Sequence, residues 1–226
     1  MAKKIKAVIF DLDNTLIDFM GAKEASINAS IDAMIKAGLR MEKKKAWKIL
    51  FELYKKYGIE HGKIFQKFLM KTTGSVDMRL LSAAIVAYRN VQAGYHKPYP
   101  NAERTIKYLQ SKGYKLAIIS NAPVIKAWIR LTEIGLANYF TVIIASDVGK
   151  KPSSKPFRAA LKNLGVKPQN VLYVGDDPRR DIKGAKNMGM KTALALYGLH
   201  KSHEKYVKNH QPDYKLKKVS DLLRIV

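Results

Sequence analysis

The sequence predicts an α/β fold, a parallel sheet with crossover helices into which a bundle of helices is inserted. Short apolar runs that end in polar residues recur along the chain, and amphipathic stretches of helical period separate them. One long segment near the N-terminus carries helical period alone.

Residues 5–10 are apolar and rich in β-branched side chains, and read as a buried strand ending at Asp11. Residues 116–119 ending at Ser120, 142–145 ending at Ser146, and 171–174 ending at Gly175 repeat the pattern, and 192–196 gives a fifth strand. Helical patterns fall between them at 102–109, 125–134, 157–164 and 182–188. Such alternation is the mark of a parallel sheet with right-handed crossovers. Ligands bind these sheets beyond the carboxyl ends of the strands, where the polar residues just named fall.

Residues 21–94 break the alternation. Ala46, Ile49, Leu50, Leu53, Tyr54 and Tyr57 recur along one helical face, while Lys48, Glu52, Lys55 and Lys56 take the other. Similar stripes run over 27–35, 64–69 and 80–91, so four amphipathic helices are expected. Lys97-Pro98-Tyr99-Pro100 bars helix and marks the return to the sheet. The expected division is 1–18 with 97–226 as the core and 19–96 as the insertion. A polar tail after Tyr197 leads to a short C-terminal helix pattern over 219–226.

The absence of cysteine excludes disulfides, thiolate nucleophiles and cysteine metal sites, so a metal must sit on oxygen or imidazole. No apolar run is long enough for a membrane span, and the first one ends at two aspartates, against a secretory leader; a soluble, cytoplasmic protein is expected. Forty-two Lys and Arg against 18 Asp and Glu give a net charge of +24, a field that concentrates anions. The basic residues are spread without an aromatic-basic stripe, so nucleic acid is expected only as a non-specific partner.

Four segments carry candidate chemistry. In Asp11-Leu12-Asp13-Asn14-Thr15, carboxylates at i and i+2 past a buried strand repel each other unless a cation lies between them, and a hard divalent ion with oxygen ligands meets that need. A turn with side chains bonded to the local backbone is the alternative. In Gly175-Asp176-Asp177-Pro178-Arg179-Arg180-Asp181, the glycine permits close approach and Asp176 offers another oxygen ligand, while Asp177 and Pro178 also read as a helix N-cap and first residue. Ser120-Asn121-Ala122-Pro123 suits a phosphate oxygen at a helix N-terminus, and reads equally as a cap. Lys150-Lys151-Pro152 heads a strand-to-helix connection, where an ammonium can neutralise a phosphoryl group. His200 and His203 have i, i+3 spacing but no carboxylate in the pattern, and receive no role.

In the order DxDxT, Ser-Asn, Lys-Pro, GDxxxxD, these segments resemble the haloacid dehalogenase-like hydrolase superfamily over essentially the whole chain, and the helical insertion resembles the cap of its subfamily I. The resemblance implies a Rossmann-like sheet of order 5-4-1-2-3 and a magnesium-dependent phosphatase, a phosphoric monoester hydrolase acting on a small phosphorylated metabolite. It implies Asp11 as nucleophile forming an aspartyl phosphate, and Asp13 as general acid and then base. Magnesium would be held by Asp11, the Asp13 carbonyl and Asp176, with Asp181 in support. Ser120, Asn121 and Lys151 would bind the phosphoryl group. Many relatives read Lys-Pro-Asp-Pro-x-x-Phe, whereas this chain has Lys151-Pro152-Ser153-Ser154-Lys155-Pro156-Phe157. Spacing to Phe157 favours Lys151, with Lys150 and Lys155 open.

Two other functions compete. One is dehalogenation of a 2-haloacid on the same scaffold, against which Asp13 and the cluster Asp176, Asp177 and Asp181 weigh. The other is a basic nucleic-acid-binding protein or a polynucleotide-end phosphatase. Residues 85–90 are similar to archaeal members assigned to glyceraldehyde 3-phosphate, with other sugar phosphates and phosphoglycolate also open. Tyr88, Arg89, Tyr95 and His96 are expected to approach the organic part of a substrate. Oligomeric state is left open.

Overall fold

Six parallel strands form one sheet in the order β3-β2-β1-β4-β5-β6: β1 (Ala7–Phe10), β2 (Lys115–Ile119), β3 (Val142–Ile144), β4 (Val171–Gly175), β5 (Lys191–Ala195) and β6 (Tyr214–Leu216). The computed structural model describes residues 4–95 and 97–226. The chain divides into two compact units, Met1–Phe19 with Lys97–Val226 in one and Met20–His96 in the other.

All residues of β1 and β4 are buried, as a strand covered on both faces requires, which is why these runs are apolar without alternation. Register then sets the site. Phe10 pairs with Ile118 on one side and Val174 on the other, so the central strands end nearly level. Asp11 N donates to Val174 O at 2.8 Å and Ser120 N to Ile144 O at 2.9 Å, carrying the ladder up to the chemistry-bearing residues. Crossovers in this unit include α5 (Ala102–Ser111), α6 (Val124–Glu133), α7 (Ser154–Leu164) and α8 (Lys183–Asn187). Phe157, Ala160, Leu161 and Leu164 of α7 join Ile9, Ala117, Ile119 and Tyr173 in a single apolar cluster.

The strand order agrees with the expected 5-4-1-2-3, with β6 added at the edge. β6 is three residues long, and its middle residue Lys215 is exposed, too little for a period-two signal to register. The helix expected at 182–188 forms as α8, and a π-helical turn, Pro178–Ile182, runs into it. The pattern at 219–226 forms tight 3₁₀ turns over Val219–Arg224.

The second unit carries α1 (Phe19–Lys36), whose first residue belongs to the sheet unit, with α2 (Lys43–Tyr57), α3 (Ile64–Thr73) and α4 (Met78–Tyr95). The four stripes meet in one core, with Ile27, Ile31, Met34, Leu50 and Phe68 fully buried. At about 1.5–3 kcal/mol for each buried aliphatic or aromatic side chain, this burial supplies the main drive for the bundle. Within the unit, the Lys23 ammonium donates to Tyr88 Oη at 2.9 Å and lies 4.3 Å from the centroid of the Tyr54 ring. His96 and the side chain of Tyr95, both expected near a substrate, lie outside the described residues. Among the described residues, no helix is long and apolar enough to cross a membrane.

Candidate active site

The loop after β1 is folded tightly. Leu16 N donates to Leu12 O at 2.9 Å and Asn14 N to Ile17 O at 2.7 Å, with Asn14 at φ 60°, a left-handed conformation that asparagine tolerates better than most residues. Each carboxylate of the loop meets a cation from elsewhere in the chain, and Asp11 Oδ2 also accepts from Thr15 Oγ1 at 3.5 Å. Asp11 Oδ1 accepts from Lys151 Nζ at 2.6 Å, and Asp13 accepts on both oxygens from Arg130 Nη1, at 2.9 and 2.7 Å.

Lys151 is buried, while Lys150 and Lys155 are exposed. Its ammonium also lies 2.6 Å from Asp181 Oδ1 and donates to Tyr173 Oη at 3.0 Å. Tyr173 in turn donates to Asp181 Oδ1 at 3.1 Å. Burial draws the Lys151 pKa down, but Asp11 and Asp181 outweigh it and hold the ammonium above its ordinary value. The main chain of Lys151 is clasped by Asn121, whose Oδ1 accepts from Lys151 N at 2.8 Å and whose Nδ2 donates to Lys151 O at 3.2 Å. The Asn121 amide therefore holds the lysine in place. Ser120 is buried, and its Oγ accepts from Ala122 N at 3.1 Å in a tight turn.

Beyond β4, Asp177 caps the π-helical turn, accepting from Arg179 N at 2.9 Å and from Arg180 Nε at 2.7 Å. The turn folds Asp181 back beneath Gly175, so that Asp177 N donates to Asp181 Oδ2 at 3.0 Å. A Cβ on Gly175 would stand 2.5 Å from Asp181 Cγ, so only glycine fits there.

One oxygen from each of Asp11, Asp176 and Asp181 lies within 4.8 Å of the others, and all three residues are buried. Burial, then Asp11 and Asp181, push the Asp176 carboxyl well above its usual range. Burial, with Asp11, likewise raises Asp181 against the pull of Lys151. Asp176 Oδ1 is buried without a hydrogen-bond partner among the described residues. A buried, unpaired carboxylate oxygen among acids that repel one another suits a hard dication with oxygen ligands. The donor set fits magnesium.

His200 and His203 do not form such a set. His203 Nε2 lies 2.8 Å from Arg179 Nη2, and His200 Nδ1 lies 2.7 Å from Ser202 Oγ. Four contributors are not singled out by the sequence patterns: Arg130, Tyr173, Tyr197, whose Oη donates to Thr15 O, and Gly198, packed on Asn14 O. Arg130 sits between the buried Ala127 and Leu131 of α6, and a charge in an apolar stripe was the available signal. Tyr173 is a hydroxyl inside a fully buried strand, where it must find a partner.

Residues 5–189 match the sequence model of the haloacid dehalogenase-like hydrolase family. The chain is 34% identical over 226 residues to glyceraldehyde 3-phosphate phosphatase of Methanopyrus kandleri, covering 98% of this chain and 97% of that protein. It is 33% identical over 225 residues to the protein of the same name in Methanocaldococcus jannaschii, covering 98% and 97%. In fold it is similar to a putative beta-phosphoglucomutase from Thermotoga maritima, with a TM-score of 0.77, 20% identity, and 98% and 100% of the two chains covered. Motif order, strand-end placement and these matches agree: the chain belongs to the haloacid dehalogenase-like hydrolase family.

Proposed function

We propose that this protein is a magnesium-dependent phosphatase that hydrolyses a small phosphate monoester through an aspartyl phosphate on Asp11. It is a phosphoric monoester hydrolase, as its relatives' names indicate. The observation that carries the reading is the Asp11 carboxylate, buried to 6% exposure and held by the Lys151 ammonium beside Asp176 and Asp181.

Magnesium would be held by the Asp11 side chain, the Asp13 main-chain carbonyl and Asp176, with Asp181 in support; when bound it supplies charge neutralisation for the transferring phosphoryl oxygens. Asp11 attacks phosphorus, and the bond from phosphorus to the ester oxygen breaks with its electron pair passing to that oxygen. Asp13 delivers a proton to the same oxygen, and the alcohol leaves. Water then attacks the phosphorus of the aspartyl phosphate while Asp13 takes its proton. The acyl-phosphate bond breaks, inorganic phosphate departs and the Asp11 carboxylate is restored. Lys151 and the Ser120 hydroxyl bind the phosphoryl group, and Lys151 offsets the charge that would otherwise keep a nucleophilic carboxylate from a phosphate dianion. The helical unit, residues 19–96, selects the substrate. Relatives named for glyceraldehyde 3-phosphate make a three-carbon sugar phosphate the first to test.

A screen of small phosphomonoesters with magnesium and with EDTA, run beside Asp11→Asn, tests the reading. Phosphate release is expected with magnesium, none with EDTA, and a loss of about 10³-fold or more in the variant. Full turnover in EDTA overturns it.

A further inference from the structure

Arg130 lies on α6 with 2% of its surface exposed, and Asp13 is bound to it from 117 residues away. One nitrogen, Nη1, donates to both oxygens of the Asp13 carboxylate, and the guanidinium carbon stands 4.3 Å from the centroid of the Phe19 ring. Burying an arginine costs several kcal/mol in solvation, and an apolar side chain at this position would fill the volume between α6 and the sheet without that cost. The charge therefore answers to its partner. Arginine is also the cation best suited to fixing the plane of a carboxylate, because its donors are rigidly placed and its face stacks on an aromatic ring.

The arrangement divides the two carboxylates of the loop between two cations, with Lys151 on Asp11 and Arg130 on Asp13. We propose that Arg130 is a positioning residue for Asp13, fixing the carboxylate that gives a proton to the leaving oxygen and takes one from water. This inference rests on the phosphatase reading above and adds a residue to it. Arg130 itself exchanges no proton. Its contribution is to keep Asp13 from rotating away from the reacting atoms; for the acid step, this matters only where the leaving oxygen needs a proton as the bond to phosphorus breaks.

That condition supplies the test. An alkoxide leaves poorly without protonation, whereas p-nitrophenolate is a stable anion. For each ester, kcat/KM covers the steps through departure of the alcohol, so it isolates the acid role. Arg130→Gln is expected to lower kcat/KM about 10²-fold for an alkyl phosphate such as glycerol phosphate, and less than about threefold for p-nitrophenyl phosphate. Arg130→Lys is expected to fall between wild type and Arg130→Gln with the same dependence on leaving group. In the Asp13→Asn background, Arg130→Gln is expected to add nothing, since the residue it positions is gone. Far-UV circular dichroism and a cooperative thermal transition, read apart from activity, serve as the check that each variant is folded.

Equal losses on both esters in both Arg130 variants, or full additivity with Asp13→Asn, would overturn the inference and leave Arg130 a structural residue. Failure of the underlying reading has a different signature. If Asp13→Asn alone loses equally on both esters, Asp13 is not the acid, and Arg130 has no acid to position.

Discussion

At the level of single residues, Asp176 carries an electrostatic cost that the metal-free protein does not offset. Burial and the neighbouring carboxylates raise its pKa, so the fold favours the neutral acid. For a group raised in this way, the stabilising contribution is in place below the ordinary carboxylate value, about pH 4, and is lost as pH rises through the raised value. The Lys151 ammonium, also raised, holds its contribution through neutral pH and loses it only above the ordinary lysine range. Metal-free protein is therefore expected to gain Tm on Asp176→Asn, by about 2–4 °C for each kcal/mol of repulsion removed, and the gain should grow from acid to neutral pH. Magnesium is expected to raise the wild-type Tm at neutral pH and leave that of the variant unmoved. Thermal denaturation across pH, with and without magnesium, checks both; a variant less stable than wild type throughout would contradict the assignment.

At the scale of elements, the loop after β1 is held from outside by the connection that follows β5. Tyr197 Oη donates to Thr15 O at 2.8 Å, and a Cβ on Gly198 would come within 1.6 Å of Asn14 O. The obstacle is main chain, which cannot rotate aside as a side chain can. Gly198→Ala is thus expected to displace the segment carrying Asp13 and Asn14, costing about 1–3 kcal/mol in stability. Because a shift near 1 Å in a reacting group costs about 10²-fold, the fall in kcat should exceed what the lost stability explains. Gly62, with nothing within 4 Å of an added Cβ, supplies the control. Unchanged kcat in Gly198→Ala would show that the loop takes its shape from its own residues.

Taken as a whole, the molecule shows what a linear pattern can and cannot carry. The parallel sheet was legible because β1 and β4 are buried on both faces, and the helical insertion because its stripes repeat at helical period. Asp11 and Asp176 stood out in the sequence because each follows an apolar strand directly and strand register brings those ends together, whereas Asp181, beyond the end of β4, entered only through the family resemblance. Arg130 and Gly198 were not legible, because their importance depends on contacts with Asp13 and Asn14 that no periodicity encodes. The sequence offers Asn121 as a phosphoryl-binding residue by its place after β2; that its side-chain amide clasps the main chain of Lys151, a partner 30 positions away, is a contact no pattern encodes. The edge strand β6 escaped notice because three residues around an exposed lysine carry no pattern. The net charge of +24 adds a long-range field that concentrates anions near the protein.

Acid quenching during turnover of a phosphate ester in the presence of magnesium, followed by peptide mass analysis, probes the central claim at its source. One phosphoryl group is expected on the peptide carrying Asp11, transient in wild type and absent from Asp11→Asn. Steady turnover with no phosphoryl group on that peptide, or with one on a different residue, would contradict the account.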